Sequence, residues 1–134
     1  MSIFTPEQEA FLREQKWAVL ATGRLDGSPQ VSTIGYDWNG VDLVCSVKSF
    51  TAKWKNALRQ PRVALVVNEG HKQLVIYGRA DGIDQDPERT ELTQRVMQRL
   101  SGKEVPKSEG LMKGLDEQKR TVLRITPEKA TMND

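Results

Sequence analysis

The sequence predicts an antiparallel β-barrel with short helical insertions. Three observations carry that expectation. About six segments have the length and the β-branched, apolar content of strands. Asp26-Gly27 and Asn39-Gly40 are hairpin turn signals lying between such segments. The helical signatures are short and fall between only some of the strands, which disfavours a parallel βαβ sheet.

Thr5-Pro6-Glu7-Gln8 reads as a helix start, with Thr at N-cap, Pro at N1 and Gln at N3. Phe11 and Leu12 give this helix its apolar side. Trp17 to Thr22 is the first strand, and Gly23 to Pro29 is turn chemistry. Gln30 to Tyr36 is the second strand. Asn39-Gly40 turns the chain into a third strand with Val41, Leu43, Val44, Cys45 and Val47. Trp54, Ala57 and Leu58 then fall at i, i+3, i+4, the spacing of one helix face, and Pro61 closes that helix.

Val63 to Val67 is a continuous apolar run, as in a strand buried on both faces. Glu69-Gly70-His71 is a turn, and Gln73 to Ile83 a long strand with Leu74, Ile76 and Gly78 on one side. Asp86-Pro87-Glu88 opens another helix, with Asp at N-cap, whose face carries Leu92, Val96 and Leu100. Ser101-Gly102 ends it. Between 103 and 118 the pattern is weak; Leu111, Met112 and Leu115 suggest a short amphipathic helix. Arg120 to Thr126 is the last strand, stopped by Pro127.

The 134 residues suit one domain spanning 1–134, since the length allows a modest core. Charged residues make up 28% and hydrophobic ones 37%, a soluble globular balance. A net charge of +2 is too small to indicate a nucleic-acid partner, which shows as a clustered basic face. The N-terminal stretch lacks the features of a signal peptide and no apolar run approaches a membrane span, so no membrane partner is expected. The single Cys45 permits no intrachain disulfide, which fits a reducing cytoplasm.

Catalytic motifs are missing. There is no Walker loop, no G-x-G-x-x-G after a strand, no G-x-S-x-G elbow and no Cys/His metal spacing. Cys45 in an apolar strand reads as a buried small residue rather than a nucleophile, and His71 as a surface turn residue. Trp17, Trp38 and Trp54 read as core or interface residues. No catalytic side chain and no metal ligand is assigned, so any chemistry comes from a bound cofactor.

The stretch with most functional content runs from Ser46 to Asn56, a strand exit feeding a helix start. Thr51 stands at the N-cap position, with Lys53 and Lys55 in or near the first turn. A helix start offers unpaired N–H groups and the positive end of the dipole, so this is a candidate phosphate cradle. The alternative is a plain cap with two solvated lysines.

The order of these pieces resembles the pyridoxamine 5'-phosphate oxidase-like split β-barrels. The resemblance rests on Gln30-Val31-Ser32-Thr33, a strand ending Ser46-Val47, Thr51-x-Lys53, the interval from Lys53 to Pro61-Arg62-Val63, Gln73 five residues before Gly78, and Pro127-Glu128-Lys129. It covers the chain from Phe11 to Lys129. It implies a mainly β (α+β) fold, a six-stranded antiparallel split barrel with short helices. It further implies that the backbone of Gln30, Val31, Ser32 and Thr33 lines a flavin-type ring, that Ser46, Val47, Thr51 and Lys53 hold a phosphate, and that Gln73 reaches the site from the partner of a homodimer.

Two departures matter. Ala52 stands where the oxidase pattern has Arg, with Lys55 close enough to compensate, and the chain lacks a long C-terminal extension. Both resemble the B-type flavin/deazaflavin oxidoreductases, many of which use coenzyme F-420 with its anionic phospholactyl and oligoglutamate tail. Lys48, Lys53, Lys55 and, by strand alternation, Arg79 are the expected partners of that tail. The implied activity is hydride transfer between reduced F-420 and an unsaturated or oxidised organic molecule. An FMN-dependent oxidase or reductase, and a flavin or deazaflavin binder without turnover, are the alternatives.

Overall fold

The computed structural model describes residues 2–133. Six strands close into one barrel: β1 (Trp17–Gly23), β2 (Pro29–Trp38), β3 (Leu43–Lys48), β4 (Arg62–Glu69), β5 (Lys72–Ile83) and β6 (Arg120–Asn133). Their order around the barrel is β1-β2-β3-β6-β5-β4, with each neighbouring pair antiparallel. The split-barrel architecture is therefore as the sequence implies. Four helices decorate it: α1 (Pro6–Glu14), α2 (Ala52–Arg59), α3 (Glu88–Ser101) and α4 (Glu109–Glu117).

Period-two alternation builds the core. Leu20, Ile34, Tyr36, Cys45, Val47, Leu65, Val67, Leu74, Ile76, Leu123 and Ile125 all turn inward and are buried. Helices stop the two ends of the barrel. At one end α1 lays Phe11 and Leu12 into the core, and the Tyr36 hydroxyl donates to the Leu12 carbonyl at 2.7 Å. At the other, α2 inserts Trp54 and Ala57, and Asn56 Nδ2 donates to Thr22 Oγ1 at 3.2 Å. Leu58, expected on that apolar face, is instead 53% exposed; Asn56 takes the buried place because Thr22 offers it a partner.

Outside the barrel, α3 packs Val96, Leu92 and Leu100 against Val44, Ile83 and Val122, a second apolar cluster. Gly35 permits the close approach: a Cβ there would lie 2.5 Å from Leu100 Cδ1. The start of α3 is fixed by charge. Arg89, buried, reaches Asp86 Oδ2 at 2.6 Å and Asp116 Oδ1 at 2.7 Å, which ties α3 to the end of α4. Asp86 caps through its carboxylate, accepting from Thr90 N at 2.9 Å, although Pro87 rather than Asp86 occupies the N-cap position.

Three further sequence expectations are corrected. Val41 lies in the β2–β3 turn, because the Asn39 carboxamide oxygen accepts from both Val41 N and Asp42 N and holds the loop open. Pro127 does not stop β6. It sits at a register shift opposite Tyr77/Gly78, where the ladder needs no N–H from it, and the strand continues to Asn133. Gly78 admits this bulge, since a Cβ there would fall 2.4 Å from the Thr126 carbonyl oxygen. Finally, β4 is buried on one face only within this chain. Val63, Leu65 and Val67 point inward, whereas Ala64 and Val66 remain half-exposed outside.

Candidate functional site

A cleft of about 500 Å³ opens between the outer face of β2 and β3 and the pair α3–α4. That size suits a drug- or cofactor-sized molecule. Its floor is the barrel wall at Thr33, Gly35 and Ser46. The opposite wall comes from the helices. Met97 and Leu100 of α3 and Leu111 of α4 are apolar, and Gly110 and Gly114, one turn apart, give α4 a flat side. A Cβ at Gly114 would meet nothing within 4 Å.

The far end of the cleft is cationic. Lys48, Lys53 and Arg120 line it and all three are half-buried. Among the described residues none of them joins an ion pair. The helix start beside them is open as well. Thr51 has N-cap backbone geometry, but its side chain makes no cap hydrogen bond. Its hydroxyl donates instead to the Lys48 carbonyl at 2.7 Å, so the first-turn N–H groups of α2 receive no side-chain acceptor. With no acidic residue in that turn, the dipole and the lysines add to one positive potential.

Of the residues expected from the sequence, Thr33, Ser46, Val47, Lys48, Thr51 and Lys53 line this cleft. The others stand elsewhere. Gln30 turns its amide to Thr22, accepting from Oγ1 at 3.1 Å. Val31 points outward at 61% exposure, and Ser32 keeps a buried Oγ with no hydrogen-bond partner. Lys55 is exposed on α2, away from the lining. Gln73 is exposed on β5, opposite Asn68 and Asn133, and cannot belong to the cleft of its own chain. Arg79 is also outside the cleft: it is exposed on β5, paired in register with Arg62 and Thr126. Strand alternation chose the correct face for Arg79 but the wrong strand, because β5 is separated from β3 by β6.

Arg120 takes the place expected of Arg79. It was hidden in the sequence because its neighbour in space, Lys48, lies 72 residues away and meets it only when β3 pairs with β6. The helix carrying Leu111 was expected from Leu111, Met112 and Leu115, but its place against β2 and β3, with Gly110 and Gly114 turned to the cleft, depends on tertiary packing that no local pattern records. Cys45, behind the cleft wall, is no nucleophile: burial pushes its thiol up to about 12, against a weaker opposing pull from the Lys53 charge.

The profile of the pyridoxamine 5'-phosphate oxidase family matches residues 4–134. The chain belongs to that family. No curated protein sequence matches it. Among solved structures, the conserved hypothetical protein Rv2991 from Mycobacterium tuberculosis is similar with a TM-score of 0.80 at 22% identity, over 98% of this chain and 86% of that one. An F-420 reductase is similar with a TM-score of 0.73 at 24% identity, over 92% and 94%. The heme storage protein HutZ from Vibrio cholerae follows with 0.69 at 22%, over 98% and 94%. At these identities the likeness establishes the fold alone. Among the described residues no helix is long and apolar enough to cross a membrane, and no cluster of His, Cys, Asp and Glu could hold a metal ion.

Proposed function

We propose that this protein is a homodimeric oxidoreductase that binds coenzyme F-420 in the α3–α4 cleft and reduces an unsaturated or oxidised organic small molecule. The observation carrying this reading is the cleft's division into a flat apolar wall and a cationic end without carboxylates. That donor set fits a planar ring joined to an anionic chain. When bound, the reduced coenzyme supplies a hydride.

The chain's own residues bind and orient. The β2 floor at Thr33 and Gly35 and the glycine side of α4 face each other across the ring's place. Met97, Leu100 and Leu111 exclude water from it, and Lys53 with the open start of α2 receives the phosphate. Ala52 removes a bidentate guanidinium suited to the compact phosphate of FMN, whereas lysines act as point charges along an extended tail.

A second copy of the chain completes the site in this reading. The outer face of β1, β4 and β5 is apolar: Val19 pairs with Val66, Ala21 with Ala64, Ala64 with Tyr77 and Val66 with Val75. Trp17 and Tyr77 on it are 56% and 48% exposed. A contiguous apolar face of this kind marks an interface. It borders the cleft at Trp17 and Thr33, and Gln73 lies on the same side of β5 as Val75 and Tyr77, positioned for presentation to a partner.

The test is a parallel titration of purified protein with F-420, FMN and hemin, with light scattering on the same samples. Saturable F-420 binding tighter than FMN, weakening as salt screens the tail, is expected from a dimer. Val66→Asp should yield monomers that bind poorly. Nanomolar FMN binding without saturable F-420 binding would move the reading to an FMN enzyme, and hemin binding alone to a heme-holding protein. Turnover with bound F-420 separates an enzyme from a carrier.

A further inference from the structure

We propose that Arg99 is a positioning residue: from the rear of α3 it fixes both Trp17 and the last turn of α3, and so sets the gap that a planar ring enters. The inference rests on the cofactor-binding reading for its ligand. Arg99 itself does not line the cleft, and it lies apart from the cationic end.

The reason begins at the end of α1, which has no cap of its own. Gln15 at its C-cap is extended (φ −88°, ψ 160°), and no left-handed residue follows it. Gln15 N donates to the Phe11 carbonyl at 3.2 Å, and the carbonyls after Phe11 are left over. Arg99 takes them. Its Nη2 donates to the Leu12 carbonyl at 3.1 Å, to the Arg13 carbonyl at 2.7 Å and to the Gln15 carbonyl. The guanidinium thus meets the negative end of the α1 dipole. Its Cζ lies 5.3 Å from the centre of the Tyr36 ring, and the Tyr36 hydroxyl donates to the same Leu12 carbonyl. One cation therefore joins α1, β2 and α3.

Two segments run from this junction to the cleft. Past Gln15, the Lys16 carbonyl accepts from Tyr36 N at 3.0 Å, and the next residue is Trp17. Trp17 lines the cleft and pairs in register with Gly35 of its floor. On α3, Met97 and Leu100 stand on either side of Arg99 in the chain and line the same cleft. Leu100 lies against that same Gly35, close enough to exclude a Cβ. Trp17 and the last turn of α3 border one stretch of floor, and Arg99 ties both to the end of α1.

This grip is not the form that stability alone would select. Among the described residues Arg99 joins no ion pair, and its Nε is buried without a hydrogen-bond partner. An orphaned buried donor is destabilising and calls for a reason. A rigid guanidinium held from one side by three carbonyls fixes a distance, which a flexible apolar contact does not. Supporting groups of this kind hold a site to its working geometry, and a displacement of about 1 Å there costs on the order of a hundredfold in rate.

The experiment compares wild type with Arg99→Lys and Arg99→Met. Lysine keeps the cation on a stem about one bond shorter, and methionine keeps an apolar stem alone. Ligand-free protein is measured first, by acrylamide quenching and emission maximum of Trp17, isolated as the difference from the same chain carrying Trp17→Phe. Titrations with riboflavin and with the deazaflavin ring alcohol lacking any phosphate tail follow. They are made at one oligomeric state and at a temperature where melting curves show every variant folded, so that lost stability does not lower affinity. Arg99→Met should increase Trp17 quenching, shift its emission to the red and weaken both ring ligands at least about tenfold. Arg99→Lys should fall between wild type and Arg99→Met in both readouts. A lower melting temperature with Trp17 and ring affinity unchanged would make Arg99 purely structural and overturn the proposal. If wild type binds neither ring ligand, the cofactor reading fails separately. The ligand-free Trp17 signal then decides alone: a shift in Arg99→Met supports the positioning role, and an unmoved Trp17 overturns it.

Discussion

Two helices of this molecule begin on a threonine, and they begin differently. At α1, Thr5 Oγ1 accepts from Gln8 N at 3.1 Å while Gln8 Oε1 accepts from Thr5 N at 3.0 Å, a complete capping box. Glu7 and Glu9 fill the first turn and complement the dipole. At α2, Thr51 stands in nearly the same backbone conformation, yet its hydroxyl turns back to Lys48 and the first turn carries Lys53 instead of an acid. The first start is finished for stability. The second is left short of acceptors and loaded with like charge, an arrangement that makes sense when a ligand supplies the missing anion. Local sequence marks both as helix starts; only their surroundings tell a cap from a cradle.

The start of α3 extends the contrast and carries the largest expected effect. There Arg89, hydrogen-bonded to Asp86, holds the Asp86 carboxyl at about 2, well below its ordinary range. Asp86→Ala leaves Arg89, whose side chain is 5% exposed, with the exposed Asp116 as its one carboxylate and the Arg120 carbonyl as a neutral acceptor. Losing a partner of a buried ion pair costs about 3 kcal/mol, to be read from urea unfolding. The pH dependence has a definite sign. The folded value lies below the unfolded one, so this carboxylate's contribution is present above about pH 4 and lost as pH falls toward 2. Asp86→Ala should therefore flatten the stability profile across that window; an unchanged acid limb would show that Asp86 does not govern it.

At the α2 start, Lys53→Ala should weaken the bound anionic cofactor by one charge-assisted contact, roughly 1.5–3 kcal/mol or about ten- to hundredfold in affinity. Apo stability should hold or rise slightly, since a cation leaves the positive end of a helix. Isothermal titration together with thermal melting checks both halves. Undiminished affinity would reduce α2 to an ordinary helix with solvated lysines.

The smallest effect belongs to the finished start. Thr5→Ala removes the cap and should cost about 1 kcal/mol of stability with no change in ligand affinity. A variant that bound ligand less well, at unchanged stability, would erase the difference between the two threonines.

The fold was legible because its signals are local. Alternation placed Leu74, Ile76 and Gly78 on the inner face of β5, the Thr5 box opened α1, and Asp86 with Pro87 announced α3. Half of the expected site residues also line one cleft: Ser46, Val47, Lys48, Thr51 and Lys53 are consecutive or nearly so on one strand exit, and Thr33 joins them from β2. Where local reading failed, a distant segment had intervened. The Val63–Val67 run looked buried on both faces because its composition is apolar throughout, but a sequence cannot say whether the second face is covered by its own chain.

The sequence by itself determined the six strands, their inward faces and the helix start with its lysines, since propensity, period and turn chemistry act over a few residues. Tertiary structure alone decided that Thr51 would not cap α2, that β6 would run through Pro127 on a bulge, and that Arg120 rather than Arg79 would face the cleft. The physical reason lies in barrel closure. Pairing β3 with β6 joins residues more than seventy positions apart, and that register, set by the whole core at once, determines which side chains share a wall.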